Sequence, residues 1–317
     1  MSVISIDIYN ELLDELVLLA NEVKNEVYNK FKYDPNQPHD IIKIPVLIRC
    51  KEYKSFYEKA YFRDKKYKNP INDITDKIGV RFVVLLPKQI KIIKKIILSN
   101  TKWETRVDKD IDLQIDENPF FFDYLSTHII VKRNNGLQFS QDPITCEIQI
   151  RTLTQHAYSE LTHDLVYKSP VGTSTKVKRN VGRCMALIDT TDQLFGDTNN
   201  TIEKDIKEFH LKLEESTNFC KKYNFVTDIV KKINSQIYNN LLPIIKNIEL
   251  KDYENNAVFF HKLELVNKIE NIYFKQPLTV FLVVAALKNA TYLIDNWHIE
   301  DDVKNMLFLT LGISKYN

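Results

Sequence analysis

Strand-type and helix-type hydrophobic patterning alternate from the N-terminus to about residue 170, and from about 176 onward only the helical spacing persists. This switch limits the fold more than any single motif, because β-branched runs need a sheet and stripes of period 3.6 need a face to bury. Residues 6–31 carry apolar positions at Ile8, Leu12, Leu16, Leu19, Val23 and Val27, a helical stripe that YDPNQPHD (33–40) breaks. Ile44–Arg49 then reads as a strand and Glu52–Phe62 as a helix. GVRFVVLL (79–86) reads as a buried strand, and KQIKIIKKIILS (88–99) as the helix after it. A further strand falls within TKWETRVDKDIDLQI (101–115). DYLSTHIIVKR and ITCEIQIRT are strands joined across Asn134-Asn135-Gly136, and TQHAYSELTHDLVYK returns to helix. Helical stripes follow at Ile206–Phe219, Val226–Leu242, Ala257–Tyr273 and Val280–Ile294. The expectation is an α+β (mixed α/β) protein: a mixed, partly antiparallel sheet of about five strands flanked by helices, then an all-α extension. We place the domains at 1–175 and 176–317, with a long helix over 178–195 bridging them.

Composition narrows the function classes. With 44% hydrophobic and 27% charged residues and only 6 glycines and 10 prolines, the chain is neither low-complexity nor disordered. The start, MSVISIDIYNELLDEL, lacks the basic segment of a signal peptide, and the longest apolar run, near Leu278–Leu287, is too short for a bilayer. A cytoplasmic protein with no membrane partner is expected. Cys50, Cys146, Cys184 and Cys220 form no CxxC pair, which excludes a zinc ribbon and leaves reduced core thiols. A net charge of +2 excludes a general polyanion coat, yet residues 49–68 hold eight Lys or Arg against three acids. Such local excess suits a phosphate-handling site, or else a solvated helix face.

Four constellations carry possible chemistry. Arg49 and Lys51 sit at a strand end on one side, and Ser55 and Lys59 share a helical face four residues apart. Converging cations and a hydroxyl would suit a polyphosphate; scattered surface cations are the plain alternative. Asp76, in Asp76-Lys-Ile-Gly79-Val-Arg81, precedes a buried strand, where a carboxylate either helps hold Mg2+ or caps a turn. Arg81, on a strand of Val, Phe and Leu, needs a carboxylate or a flat π face. In Glu147-Ile-Gln149-Ile-Arg151-Thr, alternation places Glu147, Gln149 and Arg151 on one face, lining either a cavity or solvent. Glu147 is the natural second carboxylate beside Asp76. Finally His156, Glu160, His163 and Tyr167 share one helix face, in no zinc spacing, and read as a polar face across the mouth of a site. His39-Asp40, in a Pro-flanked loop, reads as a turn.

Taken in order, RxKxxxSxxxK, DxxGxR, YxSxH, ExQIRT and H-x3-YK over roughly 40–170 resemble the synthetase domain of the RelA/SpoT family, of the small or toxic small alarmone synthetase type. The resemblance implies a nucleotidyltransferase-related fold and an ATP-dependent pyrophosphokinase. Such an enzyme transfers the β,γ-pyrophosphate of ATP to the ribose 3′-hydroxyl of GDP or GTP, making (p)ppGpp. It further implies that Arg49 and Arg81 sandwich adenine and that Lys51, Ser55 and Lys59 bind the ATP phosphates. Asp76 and Glu147 would hold Mg2+, with Glu147 also activating the acceptor hydroxyl. Tyr124 would stack on the acceptor base, with His128 near its ribose or phosphates and Gln149 and Arg151 supporting the acceptor side. The family's upstream hydrolase domain and long C-terminal regulatory region are not expected here.

The chain departs from the family before Tyr124. Where a basic N-P-K-x-N-G loop is usual, it reads Asp116-Glu-Asn-Pro119-Phe-Phe-Phe-Asp123-Tyr124. An acidic, aromatic loop is a poor grip for a triphosphate and a better platform for bases. Toxic relatives pyrophosphorylate the 3′-terminal adenosine of tRNA, and the basic run Arg63–Lys68 would suit an acceptor stem. Two alternatives therefore stand beside the alarmone reading, a tRNA-directed toxin and an inactive nucleotide-binding regulatory module. The helical extension would serve as a self-inhibitory or antitoxin-like element, or as a homo-oligomer surface.

Overall fold

The computed structural model describes residues 4–33, 41–62, 66–117 (side chains of 112 and 115 excepted), 126–133, 144–163, 173–225 and 227–313. Two compact units form, Met1–Thr198 and Asn199–Asn317. The first contains α1 (Ile6–Tyr33), β1 (Leu47–Cys50), α2 (Tyr53–Tyr61), α3 (Pro70–Asp73), β2 (Ile78–Val84), α4 (Pro87–Leu98), β3 (Glu104–Lys109), α5 (Ile111–Glu117), β4 (Thr127–Arg133), β5 (Ile144–Thr152) and α6 (Leu153–Thr162). Then come α7 (Thr175–Lys222), α8 (Lys231–Ile245), α9 (Ala257–Asn267), α10 (Thr279–Lys288), α11 (Ala290–Asn296) and α12 (Asp301–Leu311).

The five strands form one mixed sheet in the order β1-β2-β5-β4-β3, with β2 and β5 parallel and the other pairs antiparallel. Strand alternation sorts their side chains into two unlike faces. Ile78, Val80, Phe82 and Val84 of β2, with Cys146, Ile148 and Ile150 of β5, are buried against Leu16, Leu19 and Val23 of α1 and Ile90, Ile93 and Ile97 of α4. Each large apolar side chain so buried stabilises the unit by roughly 1.5–3 kcal/mol. The opposite face carries Arg49, Gly79, Arg81, Glu147, Gln149 and His128. Register sets Arg49, Gly79 and Glu147 in one row across the strands, and Arg81, Gln149 and His128 in the next.

The structure corrects several expected boundaries. The first strand begins at Leu47 rather than Ile44, leaving only an isolated bridge from Ile42 to Val84; Pro45 has no N–H to give a ladder. The 101–115 strand ends at Lys109, and Ile111–Glu117 is helical. In the second unit, Phe259, Phe281, Trp297 and Leu307 lie in one core drawn from its helices. The apolar segment Val280–Ile294 is two helices, because the Asn289 side chain accepts the Tyr292 N–H (3.0 Å) and starts a new one. The stripes at 178–195 and 206–219 belong to a single 48-residue helix, α7. The poor helix formers between them keep local bonds, Thr198 Oγ1 to Leu194 O (2.8 Å) and Asn199 Nδ2 to Glu203 Oε1 (3.0 Å). Among the described residues no helix is long and apolar enough to cross a membrane.

Candidate functional site

A cavity of about 600 Å³ opens on the polar face of the sheet, lined by Arg49, Lys51, Ser55, Asp76, Arg81, Glu147, Gln149 and His163 among others. Its centre is Asp76, delivered by the turn between α3 and β2. Lys51 Nζ and Lys59 Nζ lie 2.8 and 2.9 Å from Asp76 Oδ2. Burial pushes the carboxyl pKa up, but the hydrogen bonds and charge of the two ammonium groups outweigh it and hold it below its ordinary 3.8. Asp76 Oδ1 is buried and has no hydrogen-bond partner. An ionised carboxylate with one bare oxygen in a cavity fits a hard cation, which takes one or two carboxylates and completes its shell with substrate phosphates and water. Among the described residues no group of three or more His, Cys, Asp or Glu side chains could hold a metal without such help.

Glu147 faces the same cavity from β5. Its Oε1 lies 3.1 Å from His128 Nδ1, and its Oε2 accepts from Gln149 Nε2 at 3.0 Å. Burial raises its pKa and the His128 and Gln149 bonds more than reverse this, so Glu147 is ionised at neutral pH; Asp76 is near enough to oppose that charge. The imidazole's other nitrogen, Nε2, is buried without a partner. Arg151, only 1% exposed, donates to Gln149 Oε1 at 2.7 Å. A relay Arg151–Gln149–Glu147–His128 therefore runs along and across the strands, with Arg151 beneath the site rather than among the cavity's lining.

Arg81 finds a carboxylate, donating from Nη1 to Glu160 Oε1 of α6 at 2.7 Å. His156 Nδ1 lies 3.6 Å from the same oxygen, and burial, then Arg151 and Arg81, push its pKa down. Of the helix face read from 156, 160 and 163, His163 lines the cavity and Glu160 reaches it only through Arg81. Tyr124, Tyr167, His39-Asp40, the Asn134-Asn135-Gly136 turn, Arg63 and most of the loop 116–124 lie outside the described residues.

Lys77 was not singled out by sequence. It is 2% exposed, and its Nζ donates to Ile71 O (2.6 Å) and Ile74 O, bracing the turn that presents Asp76. Only its position directly after Asp76 could have drawn attention to it. Burial lowers its pKa from 10.5 to about 8. Because the folded state releases this proton first, the unfolded chain binds more protons between the two values, and stability rises with pH across that window. We expect Lys77→Met to remove this rise, worth about 3 kcal/mol at most. Denaturant titrations from pH 7.5 to 10.5 check it, and an unchanged slope in the variant contradicts it.

Residues 48–171 match the family model described as "Region found in RelA / SpoT proteins". No curated protein matches the chain. Among solved structures, small alarmone synthetase 1 from Bacillus subtilis superposes with a TM-score of 0.52 at 21% identity, over 62% of this chain and 99% of that one. The same synthetase bound to its product pppGpp gives 0.50 and 22%, over 60% and 94%. A GTP pyrophosphokinase family protein from Streptococcus pneumoniae gives 0.50 and 22%, over 64% and 97%. Fold and motif order agree, and residues 48–171 of this chain are a region of the RelA/SpoT family.

Proposed function

We propose that the chain is an ATP-dependent pyrophosphokinase that transfers the β,γ-pyrophosphate of ATP to the ribose 3′-hydroxyl of GDP or GTP. The observation that carries this is Asp76, ionised between Lys51 and Lys59 with Oδ1 unpartnered, beside a cavity that Glu147 also lines from β5. A solved neighbour of the same fold binds pppGpp as its product, which supports the reading.

In this reading Arg49 and Arg81 hold adenine between them, and Lys51, Ser55 and Lys59 bind the phosphates. Asp76 and Glu147 hold Mg2+, which when bound neutralises charge on the polyphosphate. The acceptor's 3′-oxygen attacks Pβ, the bond from Pβ to the α,β-bridging oxygen breaks, and AMP leaves with that electron pair. Glu147, ionised and within reach of the cavity, takes the hydroxyl proton, and the donated His128 N–H steadies its orientation. Little covalent work falls to the protein; positioning and charge supply the rate.

One observation favours a second acceptor. Asp116 and Glu117 end α5 exposed, where a triphosphate would need cations, and Lys66 and Lys68 lie exposed in the basic run. This combination suits the 3′ end of tRNA, whose terminal adenosine brings no free 5′-phosphate. The test is to incubate the full chain with γ-labelled ATP and Mg2+ plus GDP, GTP or bulk tRNA. Label in GDP or GTP is expected. Label in tRNA alone would replace the alarmone reading, and no transfer to any acceptor would leave a nucleotide-binding module.

A further inference from the structure

We infer that Glu160 is a positioning residue for the donor nucleotide, fixing the plane of the Arg81 guanidinium on which adenine would lie. The inference rests on the donor reading above and gives Glu160, which the sequence places only on a polar helix face, a specific role. A guanidinium receives a base on its flat face, so its orientation matters as much as its charge. Free arginine side chains lose rotamer freedom on binding, and holding one in place beforehand lowers that cost. The N–H groups of a guanidinium lie in its plane, so the Nη1 bond to Glu160 Oε1 at 2.7 Å engages an edge and leaves the faces to the base.

Glu160 can hold Arg81 only if α6 is itself held, and it is. Thr152 caps the helix, accepting the Gln155 N–H at 3.2 Å, while the Gln155 side chain accepts the Thr152 N–H at 3.1 Å. Asp192 of α7 accepts the Thr152 hydroxyl at 2.6 Å and that of Thr154. Tyr158, on the helix's buried side, packs with Met185. Glu160 therefore stands on a backbone anchored at its start and along its inner face. The second arginine of the cavity differs: Arg49 is exposed, and no carboxylate pairs with it among the described residues. One side of the base site is thus arranged in advance and the other is not. His156 does not cancel Glu160, since burial and the two arginines disfavour its protonation.

The opposite role would be a latch, with Glu160 competing for Arg81 until ATP displaces it. Calorimetric binding of α,β-methylene-ATP with Mg2+ to the full chain, without acceptor, separates the two. Glu160 is half-exposed, so the effect is modest: Glu160→Ala is expected to weaken binding about three- to tenfold. Arg81→Ala should weaken it more, and adding Glu160→Ala to Arg81→Ala should cost nothing further. With the preferred acceptor, Glu160→Ala should raise KM for ATP and leave kcat unchanged. Equal or tighter binding by Glu160→Ala overturns the proposal, as does an independent loss in the Arg81→Ala background. Wild-type protein that binds no ATP analogue overturns the donor reading and the proposal with it. Binding that shows this pattern without any pyrophosphate transfer sinks the transferase reading alone.

Discussion

Asp76→Ala is expected to abolish pyrophosphate transfer, with kcat reduced by at least about a thousandfold, while the first unit stays folded. The substitution removes the carboxylate whose Oδ1 is buried without a partner and leaves Lys51 and Lys59 facing each other without a counterion. Their side chains are about a quarter exposed, so water screens part of the repulsion, and the stability loss should stay near 1 kcal/mol. Asp76→Asn separates the two effects, keeping the shape and removing the charge. It should be as inactive as Ala yet melt closer to wild type. Acid sensitivity gives an independent check. The folded pKa of Asp76 lies below its ordinary 3.8, so its stabilisation is complete above that value and fades as pH falls through the folded value. Asp76→Asn should therefore unfold less steeply in acid. Glu147→Gln should behave likewise in acid and in transfer, because its pKa is also held down. Retained transfer in either variant would refute the metal-holding assignment.

Much of the site was legible because strand alternation is a strict rule. Glu147, Gln149 and Arg151 alternate with Ile148 and Ile150, and the structure places the isoleucines in the core and the polar three on the other face. Alternation cannot say how deep that face lies, so Arg151 reads as lining a cavity or solvent although it is 1% exposed. Arg81 shows the same limit in another form. Its isolation among apolar neighbours signals that it needs a partner, but the partner stands 79 residues along the chain, and no local spacing identifies it. Nothing in the sequence marks Lys77 as buried, because charge normally predicts exposure; two backbone carbonyls override that. Helix ends were the least legible feature. The Asp197–Thr201 stretch carries the residues that usually stop a helix, and side-chain bonds within one turn let α7 run through them.

Asp192→Ala should destabilise the first unit by about 1–3 kcal/mol, lowering its melting temperature by roughly 3–10 °C. Asp192 is 3% exposed and serves as acceptor for two hydroxyls, Thr152 and Thr154, that start α6 directly after Arg151. Truncation leaves a void and takes the acceptor from both hydroxyls, which keep their contact with each other at 2.8 Å and, for Thr152, the Gln155 N–H. Asp192→Asn asks whether charge or accepting capacity matters. Burial raises the Asp192 pKa despite the two threonine bonds. A folded pKa above the unfolded one means that the contribution is complete below the ordinary 3.8 and lost as pH rises through the folded value, so at neutral pH the ionised form is a cost. Asparagine keeps an oxygen acceptor without that cost, and at pH 7 it should match or exceed wild-type stability. If Asn proves as damaging as Ala, the charge itself holds the helices together and the hydrogen-bond account fails. The same contacts bear on where the first unit ends. A chain cut at 175/176, the boundary drawn from patterning, lacks both Asp192 and Met185, so α6 keeps its N-terminal cap but loses its buried anchor and the cover over Tyr158. That chain should lose cooperative melting, whereas one ending at 198 should keep it, because α6, which follows β5 directly, and the first half of α7 stabilise one another.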